Sequence, residues 1–531
     1  MTRLRYTVAI LLTLCFILLI YNRLSPTCAQ SNPVSLNSMT LFKMMQTTLQ
    51  LIRNHYVDEV DLRKVMEGGI QGMLDALDPH CNYIPPESNQ SFKEEYSGEF
   101  YGIGINYDII QGVITVISPI EGSPAYHAGL KAGDRIIKID HLSAINITTD
   151  DIRRKLRGDK GSRVILTIRR SGQEAEIDFT LIRDKIHIAS VPYFYMLNDS
   201  SGYIRVITFS ETTSQELDSA IHQLIGHGMK QLVLDLRYNS GGLLNEAIEM
   251  AKSFLGHDQE IVTTKGRDAE SVETFKASLS AKHPIIPLII MISHQTASAS
   301  EIVSGAIQDW DRGLILGNRS FGKGLVQRQF PLESGASVLL TIARYYTPSG
   351  RLIQRNYSQG AMQYYLEDTE LNDSIYSDTN QIVYYTRHKR KVYGGGGIAP
   401  DYRIAWYVPS KFIESIVFNP QRILLEYADQ FARSHPSLNN DFSFFMKEYH
   451  LSESDWIELE DFMSKHKTAF THDEIIQNRN ELERQIKRAV ATYFWDTNRA
   501  DQVYHYQHPD ILETLKYFPQ SRKLCQNYLE L

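Results

Sequence analysis

The sequence predicts an α/β multidomain protein, and three observations carry that prediction. At about 150 residues per domain, a chain of 531 residues points to roughly three or four domains. Between Tyr203 and Pro348, apolar strands such as Leu232-Val233-Leu234-Asp235-Leu236 and the run Ile285 to Ile292 alternate with helical stretches. That pattern belongs to a parallel sheet covered by helices. Between Gly98 and Arg183 the period shortens to brief strands separated by glycine turns, and helical spacing dominates on either side of these regions.

Composition bounds the function. A hydrophobic fraction of 43% and a charged fraction of 22% lie near the globular average, which excludes a disordered, collagen-like or multi-span membrane protein. Lys and Arg total 55 against 62 for Asp and Glu, a net charge of −7 without long single-sign blocks. Nothing here has the footprint of a nucleic-acid binder. The four cysteines, Cys15, Cys28, Cys81 and Cys525, form no repeated CxxC. A zinc cluster or dense disulfide framework is therefore not expected.

Taken in order, residues 1–29 read as a signal peptide or an N-terminal anchor. Arg3 and Arg5 precede an apolar run from Val8 to Ile20, 13 residues. That suits the core of a secretory signal better than the roughly 20 residues of a membrane-spanning helix. Thr27-Cys28-Ala29 offers small residues for cleavage, while Pro26 and Thr27 are poor neighbours for a lipidated Cys28. The body of the protein is expected outside the cytoplasm, in the periplasm or cell envelope. Residues 36–97 form an N-terminal helical segment, with Leu41, Met44, Met45, Leu49 and Ile52 at helical spacing and a second helix through Val65, Ile70, Met73, Leu74 and Leu77. Asp78-Pro79 closes the stretch 36–80 read as helices, because a residue before proline is pushed out of helical geometry. Residues 98–184 make the β-rich unit, 185–405 the α/β core with a polar, Tyr-rich insertion at 357–391, and 406–531 a region of amphipathic helices.

Three motifs compete for the chemistry. Tyr238-Asn239-Ser240-Gly241-Gly242 resembles a trypsin-like nucleophile segment, but a buried strand enters it and a helix follows, which an all-β protease would not provide. Its glycines suit a plain turn or a nest of N–H groups that stabilises an anion. Gly317-Asn318-Arg319-Ser320-Phe321-Gly322-Lys323-Gly324 nearly matches a phosphate-binding loop. It lacks the Mg²⁺-ligating hydroxyl at Gly324 and runs into a strand-like stretch instead of a helix. The third, Thr296-Ala297-Ser298-Ala299-Ser300-Glu301, joins the most apolar strand to a helix. Ser298-x-x-Glu301 is a capping-box pattern, and a serine at that turn is also well placed for attack beside a helix N-terminus that favours an oxyanion. Lys323, between two glycines, has room to enter a cleft. Desolvated there, its pKa falls from ~10.4 toward neutrality and it can accept the serine proton. Gln327, an even number of residues further along an expected strand, shares its face and can orient the amine.

With these residues in place, the chain resembles the C-terminal processing peptidases, or tail-specific proteases, over about residues 40–405. The motifs come in the family's order: Leu77-Asp78-Pro79-His80, Ser97-Gly98-Glu99-Phe100 with Gly102-Ile103-Gly104, Ser123-Pro124-Ala125 through Gly133-Asp134, Leu234-Asp235-Leu236-Arg237 through Gly241-Gly242, Ser298-Ala299-Ser300-Glu301, Phe321-Gly322-Lys323-Gly324 through Gln327, and Gly394 to Gly397 with Pro400-Asp401. The resemblance implies a crotonase/Clp-protease-like α/β catalytic core with an inserted PDZ domain at 98–184. Ser298 then matches the nucleophile, Lys323 the general base and Gln327 the residue that positions it. The N–H of Ala299 and that of Gly241 or Gly242 match the oxyanion hole. Gly102, Ile103, Gly104 and Ile105 resemble the PDZ carboxylate-binding loop, Ile103 and Ile105 offering an apolar pocket. The implied partners are proteins or peptides with unstructured C-termini. No cofactor, metal or nucleic acid is expected; membrane association through the N-terminus and a homo-oligomer stay open. Cys81 departs from the serine common after Asp-Pro-His. The rival reading is a catalytically silent PDZ scaffold or holdase that binds tails without cutting them.

Overall fold

The computed structural model describes residues 37–256, 258–268, 270–277, 280–358, 360–366 and 382–530. The expectations for residues 1–29 and for the middle of the 357–391 insertion lie outside them. The chain divides into two units, Met1–Ile70 and Gln71–Leu531.

In the first unit, Asn37 caps the helix Ser38–His55 by accepting the Thr40 N–H at 2.8 Å. None of that helix is buried, and Met39, Leu41, Phe42, Met44 and Met45 are all exposed. The helical spacing expected from the sequence is real, while its apolar face is left uncovered among the described residues.

The second unit opens with features that the sequence reading did not separate: the short strand Asn82–Ile84 and the helix Pro86–Ser97, which starts on a proline and ends on left-handed Gly98. The β-rich module follows. Strands Ile105–Ile110, Val113–Pro119, Arg135–Ile139, Arg163–Arg169 and Ile177–Ile182 pair antiparallel in that order. They close with the helix Thr149–Leu156 over a core that includes Ile114, Val116, Ile136, Val164 and Leu166. Ile105–Ile110 is an edge strand of this sheet. Entry and exit are tied together where Glu99–Gly102 pairs antiparallel with Asp184–His187.

The α/β core is a six-stranded sheet. Ser201–Arg205, Gln231–Asp235, Leu288–Ile292, Leu314–Gly317 and Tyr402–Arg403 run parallel, and Tyr193–Met196 is antiparallel at one edge. Its strands are apolar on both faces because both faces are covered. Leu232, Leu234, Ile290 and Ile292 pack with the helices Thr213–Gly226, Leu244–Lys252 and Ala299–Asp309. The alternate residues Val233, Ile289 and Met291 pack with Ile511, Phe518 and Leu524 of the C-terminal helices. A second, antiparallel sheet of Asn82–Ile84, Ser337–Tyr346, Glu260–Gly266 and Val272–Lys276, with Leu325–Pro331 paired to Ser337–Tyr346, was not anticipated. The C-terminal helices, from Lys411–Val417 to Phe518–Leu529, carry a core of their own around Tyr427, Phe431, Phe445, Leu459 and Ile486.

Candidate active site

The site forms where two parallel strands end, the usual place for function in such sheets. After Gln231–Asp235 the chain turns through 236–242; after Leu288–Ile292 it turns through 293–298 into the helix Ala299–Asp309. Asn239, fully buried, knits the two turns. Its carbonyl accepts the Ala297 N–H at 3.0 Å and the Ser300 hydroxyl at 3.2 Å. Its amide donates to the Val206 carbonyl at 2.9 Å, and its Oδ1 accepts the Gly241 N–H at 2.9 Å.

Ser298 sits at the helix N-terminus with φ 53° and ψ −113°. A non-glycine residue there carries strain of order 1–3 kcal/mol, and such positions cluster at functional sites. The capping relation expected with Glu301 is present: the Glu301 carboxylate accepts the Ser298 N–H at 2.8 Å. It does more than cap. Glu301 is fully buried and also accepts the Lys323 N–H at 2.9 Å, the Gly322 N–H at 2.7 Å and the Ser320 hydroxyl at 2.5 Å. Burial pushes its carboxyl above the ordinary range, and these four donors pull it back. Tyr345 adds a second link between the loops, its hydroxyl lying 2.6 Å from the Lys323 carbonyl and 3.1 Å from that of Ser298.

Lys323 and Gln327 meet as expected, Nζ donating to Gln327 Oε1 at 2.6 Å, but not by simple strand alternation. Lys323 precedes the strand Leu325–Pro331, and a register shift falls between Val326 and Gln327. Desolvation holds the Lys323 amine below the usual lysine range, while the charges of Asp78 and Glu301 oppose that shift. Gln327 Nε2 donates to the His80 carbonyl at 2.6 Å. The strand Leu325–Pro331 also removes the phosphate-loop alternative, which needs a helix there.

Ser298, Ala299, Lys323, Gln327, Gly241 and Gly242 all line one cleft of about 720 Å³. Its wall includes Phe92, Lys93 and Tyr96 of the helix Pro86–Ser97, together with Leu244 and Leu339. The glycines are required by proximity. A Cβ on Gly241 would meet Ser298 Cβ at 2.8 Å, and one on Gly242 would meet the Phe209 carbonyl oxygen at 2.2 Å. The pair also divides its work: the Gly241 N–H is engaged by Asn239, whereas no bond from the Gly242 N–H is found among the described residues.

Gly102 to Ile105 lie on the β module and are not among the residues lining this cleft. Gly104 is left-handed at φ +76°, and its carbonyl is fixed by the Ile120 N–H and the Ser123 hydroxyl. Ile103 is 2% exposed and packs in the module's own core, and Ile105 is half-buried against it. Glu301 as a tie between loops, Tyr345, Asn239 and the 78–81 loop are the parts of this constellation that the sequence reading gave no such role.

Comparison with known proteins places this architecture. The model of peptidase family S41 matches residues 200–363, a PDZ-domain model matches 115–170, and the model of the activating protease CtpB N-terminal domain matches 23–88. The carboxy-terminal-processing protease of Bartonella bacilliformis is 41% identical over 307 residues, 57% of this chain and 70% of that one. The carboxy-terminal processing protease CtpA of Bacillus subtilis is 35% identical over 315 residues, 59% of this chain and 67% of that one. Among solved structures, the photosystem II D1 C-terminal processing protease is 29% identical, with a TM-score of 0.35 over 60% of this chain and 85% of its own. The fold and the family models together define a serine-type peptidase with a PDZ domain. The chain belongs to peptidase family S41, among the carboxy-terminal processing proteases.

Proposed function

We propose that this protein is an exported endopeptidase that binds unstructured C-terminal tails through its PDZ domain and cuts them with a Ser298–Lys323 dyad. The observation that carries the reading is the convergence of Ser298, Lys323, Gln327 and the Gly241–Gly242 turn on one cleft. In the proposed cycle the neutral Lys323 amine takes the Ser298 hydroxyl proton as Oγ attacks the scissile carbonyl carbon. The resulting oxyanion lies against the Ala299 N–H, one of the helix N-terminal donors without an intrahelical acceptor, and the Gly242 N–H, the uncommitted member of its pair. The Lys323 ammonium then protonates the departing amine as the C–N bond breaks, leaving an acyl-enzyme on Ser298. A water, deprotonated by Lys323, attacks the ester, and the ammonium returns its proton to Ser298 Oγ. Desolvation of Lys323 favours this role, because it holds the amine below the ordinary lysine range and so favours the unprotonated base.

Tail capture is supported by strand Ile105–Ile110, an edge of its sheet among the described residues, where an extended peptide can add by strand pairing, with the 102–105 turn at one end for its carboxylate. We read the core as crotonase/Clp-protease-like on the strength of its helix-covered parallel sheet. Export rests on the apolar 8–20 segment behind Arg3 and Arg5, and is tested by cell fractionation with N-terminal mass analysis of the mature chain.

The experiment compares the native protein with Ser298→Ala on one unstructured peptide supplied with a free or an amidated C-terminus. Cleavage by the native protein alone, faster for the free carboxylate, supports dyad and tail recognition together. Equal rates on both peptides remove the carboxylate argument. Binding without cleavage by either protein favours the silent scaffold.

A further inference from the structure

The catalytic lysine candidate is held by a chain of hydrogen bonds that ends outside the α/β core. Lys323 Nζ donates to Gln327 Oε1 at 2.6 Å, and Gln327 Nε2 donates to the His80 carbonyl at 2.6 Å. The second bond decides the first. A glutamine amide has one accepting end and one donating end, so an acceptor at His80 obliges the amide to turn its oxygen toward the amine. With the amide flipped, its oxygen would face the His80 carbonyl, acceptor against acceptor.

Where the His80 carbonyl sits is therefore a catalytic matter, and three groups fix it. Asp78 accepts the N–H groups of His80 at 2.8 Å and of Cys81 at 3.1 Å, closing the 78–81 turn. Tyr365 donates its hydroxyl to the Pro79 carbonyl at 2.9 Å. His80 Nε2 lies 2.8 Å from the Tyr364 hydroxyl, which also accepts from Gln354 Nε2 at 3.2 Å. His80 is lowered to about 4, first by burial and then by the Lys323 charge, so its ring is neutral near pH 7 and can accept the Tyr364 proton. Tyr364 is 1% exposed and packs edge-on against both His80 and Phe321. Gln354 reaches the same neighbourhood from the other side, accepting the Gly324 N–H next to Lys323 at 2.8 Å. Tyr364 and Tyr365 belong to the short helix Ala361–Leu366, which lies within the polar insertion.

We propose that Tyr364 is a positioning residue for the catalytic lysine: its hydroxyl pins His80, whose carbonyl orients the Gln327 amide that holds the Lys323 amine. The helix Ala361–Leu366 is then a working part of the active site, bracing the base through the 78–81 turn. The inference rests on the dyad reading above, and the test separates the two.

The test is Tyr364→Phe, which removes one hydroxyl and keeps the ring, measured beside Lys323→Ala on an unstructured free-carboxylate peptide, with thermal midpoints for each protein. Leaving the buried His80 nitrogen without its partner is expected to lower kcat about tenfold. KM stays as in the native protein because the cleft wall does not change, and the thermal midpoint falls slightly, by the cost of unpaired buried groups at His80 and Gln354, with the protein still folded at the assay temperature. Tyr364→Phe with native kcat, beside an inactive Lys323→Ala, overturns the brace and leaves the dyad standing. A fall in activity fully matched by loss of folded protein at the assay temperature also overturns it, since Tyr364 would then act through folding alone. Native activity in Lys323→Ala defeats the dyad reading itself.

Discussion

Glu301 accepts the main-chain N–H of Lys323 on Oε2 at 2.9 Å, and the same oxygen accepts the N–H of Ser298 at 2.8 Å. One carboxylate atom thus spaces the two chain segments that carry the proposed nucleophile and base. Its other oxygen, held by Ser320 and Gly322, fixes the approach of the second loop. A carboxylate accepts at both oxygens and donates at neither, so this buried position is matched to its four donors.

Glu301→Gln tests that match. An amide must turn an NH₂ toward two donors, leaving buried N–H groups without acceptors, and should cost about 3 kcal/mol of stability. If the loops separate by even a fraction of an ångström, kcat should fall by about 100-fold while the protein stays folded. Urea unfolding and peptide kinetics measure the two effects; native kcat in the folded variant would show that the loops hold their spacing without the carboxylate.

Ser298 and Lys323 were legible because each stands in a local pattern: a serine between an apolar strand and a helix, and a lysine between glycines. The parallel core was legible because both of its faces are covered, giving continuous apolar runs. What was not legible depends on non-local pairing. Glu301 shows a cap three residues away, but its tie to Gly322 and Lys323 exists only after the chain folds back. Tyr345 is 47 residues from Ser298. The strand Asn82–Ile84 is three residues long and pairs with residues Ser337 to Leu339, so no window of sequence contains its signal. Gln327 was placed beside Lys323 by a strand argument that the register shift at Val326 makes inapplicable, although the two side chains do meet. The hydrogen bond forms because both residues enter the same cleft.

The pH profile follows from Lys323. Burial lowers its pKa, and the amine serves as base only when unprotonated, so kcat/KM should rise with pH and level off below the ~10.4 of an ordinary lysine. His80, at about 4, does not titrate along that limb. Lys323→Arg keeps a positive charge but cannot release its proton in water, and should leave background activity at every pH. Initial rates across the range decide; a flat profile for the native enzyme would remove the lysine as base.

Gly104→Ala separates tail capture from chemistry. The residue is left-handed at φ +76°, and a Cβ there would meet Ser123 Cβ at 2.2 Å and Ser123 Oγ at 2.7 Å. Ser123 both donates to the Gly104 carbonyl and caps the helix Pro124–Ala128, so it cannot retreat freely. The turn should open, raising KM for a free-carboxylate peptide by about tenfold or more and destabilising the PDZ module by about 1–3 kcal/mol. Cleavage of an amidated peptide, which makes no call on the turn, should be unchanged. An equal effect on both peptides would mean that the turn serves the core and not the tail.

The C-terminal helices are tied to the segment that leads into the Gly241–Gly242 turn. Arg237 donates to Asp510 Oδ2 at 2.6 Å and to both oxygens of Asp235, with side chains of Arg237 and Asp510 only 7% and 8% exposed. The guanidinium lies 4.7 Å above the Trp406 ring, and Asp510 Oδ1 accepts the Tyr407 N–H at 2.7 Å. Removing one partner of a buried pair leaves the other charged and desolvated, which typically costs about 3–5 kcal/mol. Asp510→Ala should sit at the low end of that range because Asp235 still neutralises Arg237. The loss should appear as a lower urea midpoint with an unchanged slope. Since Arg237 lies four residues before Gly241, a fall in kcat beyond the loss of folded protein should accompany it. A variant with native urea midpoint and native kcat would show that the C-terminal region neither anchors this segment nor bears on the turn it precedes.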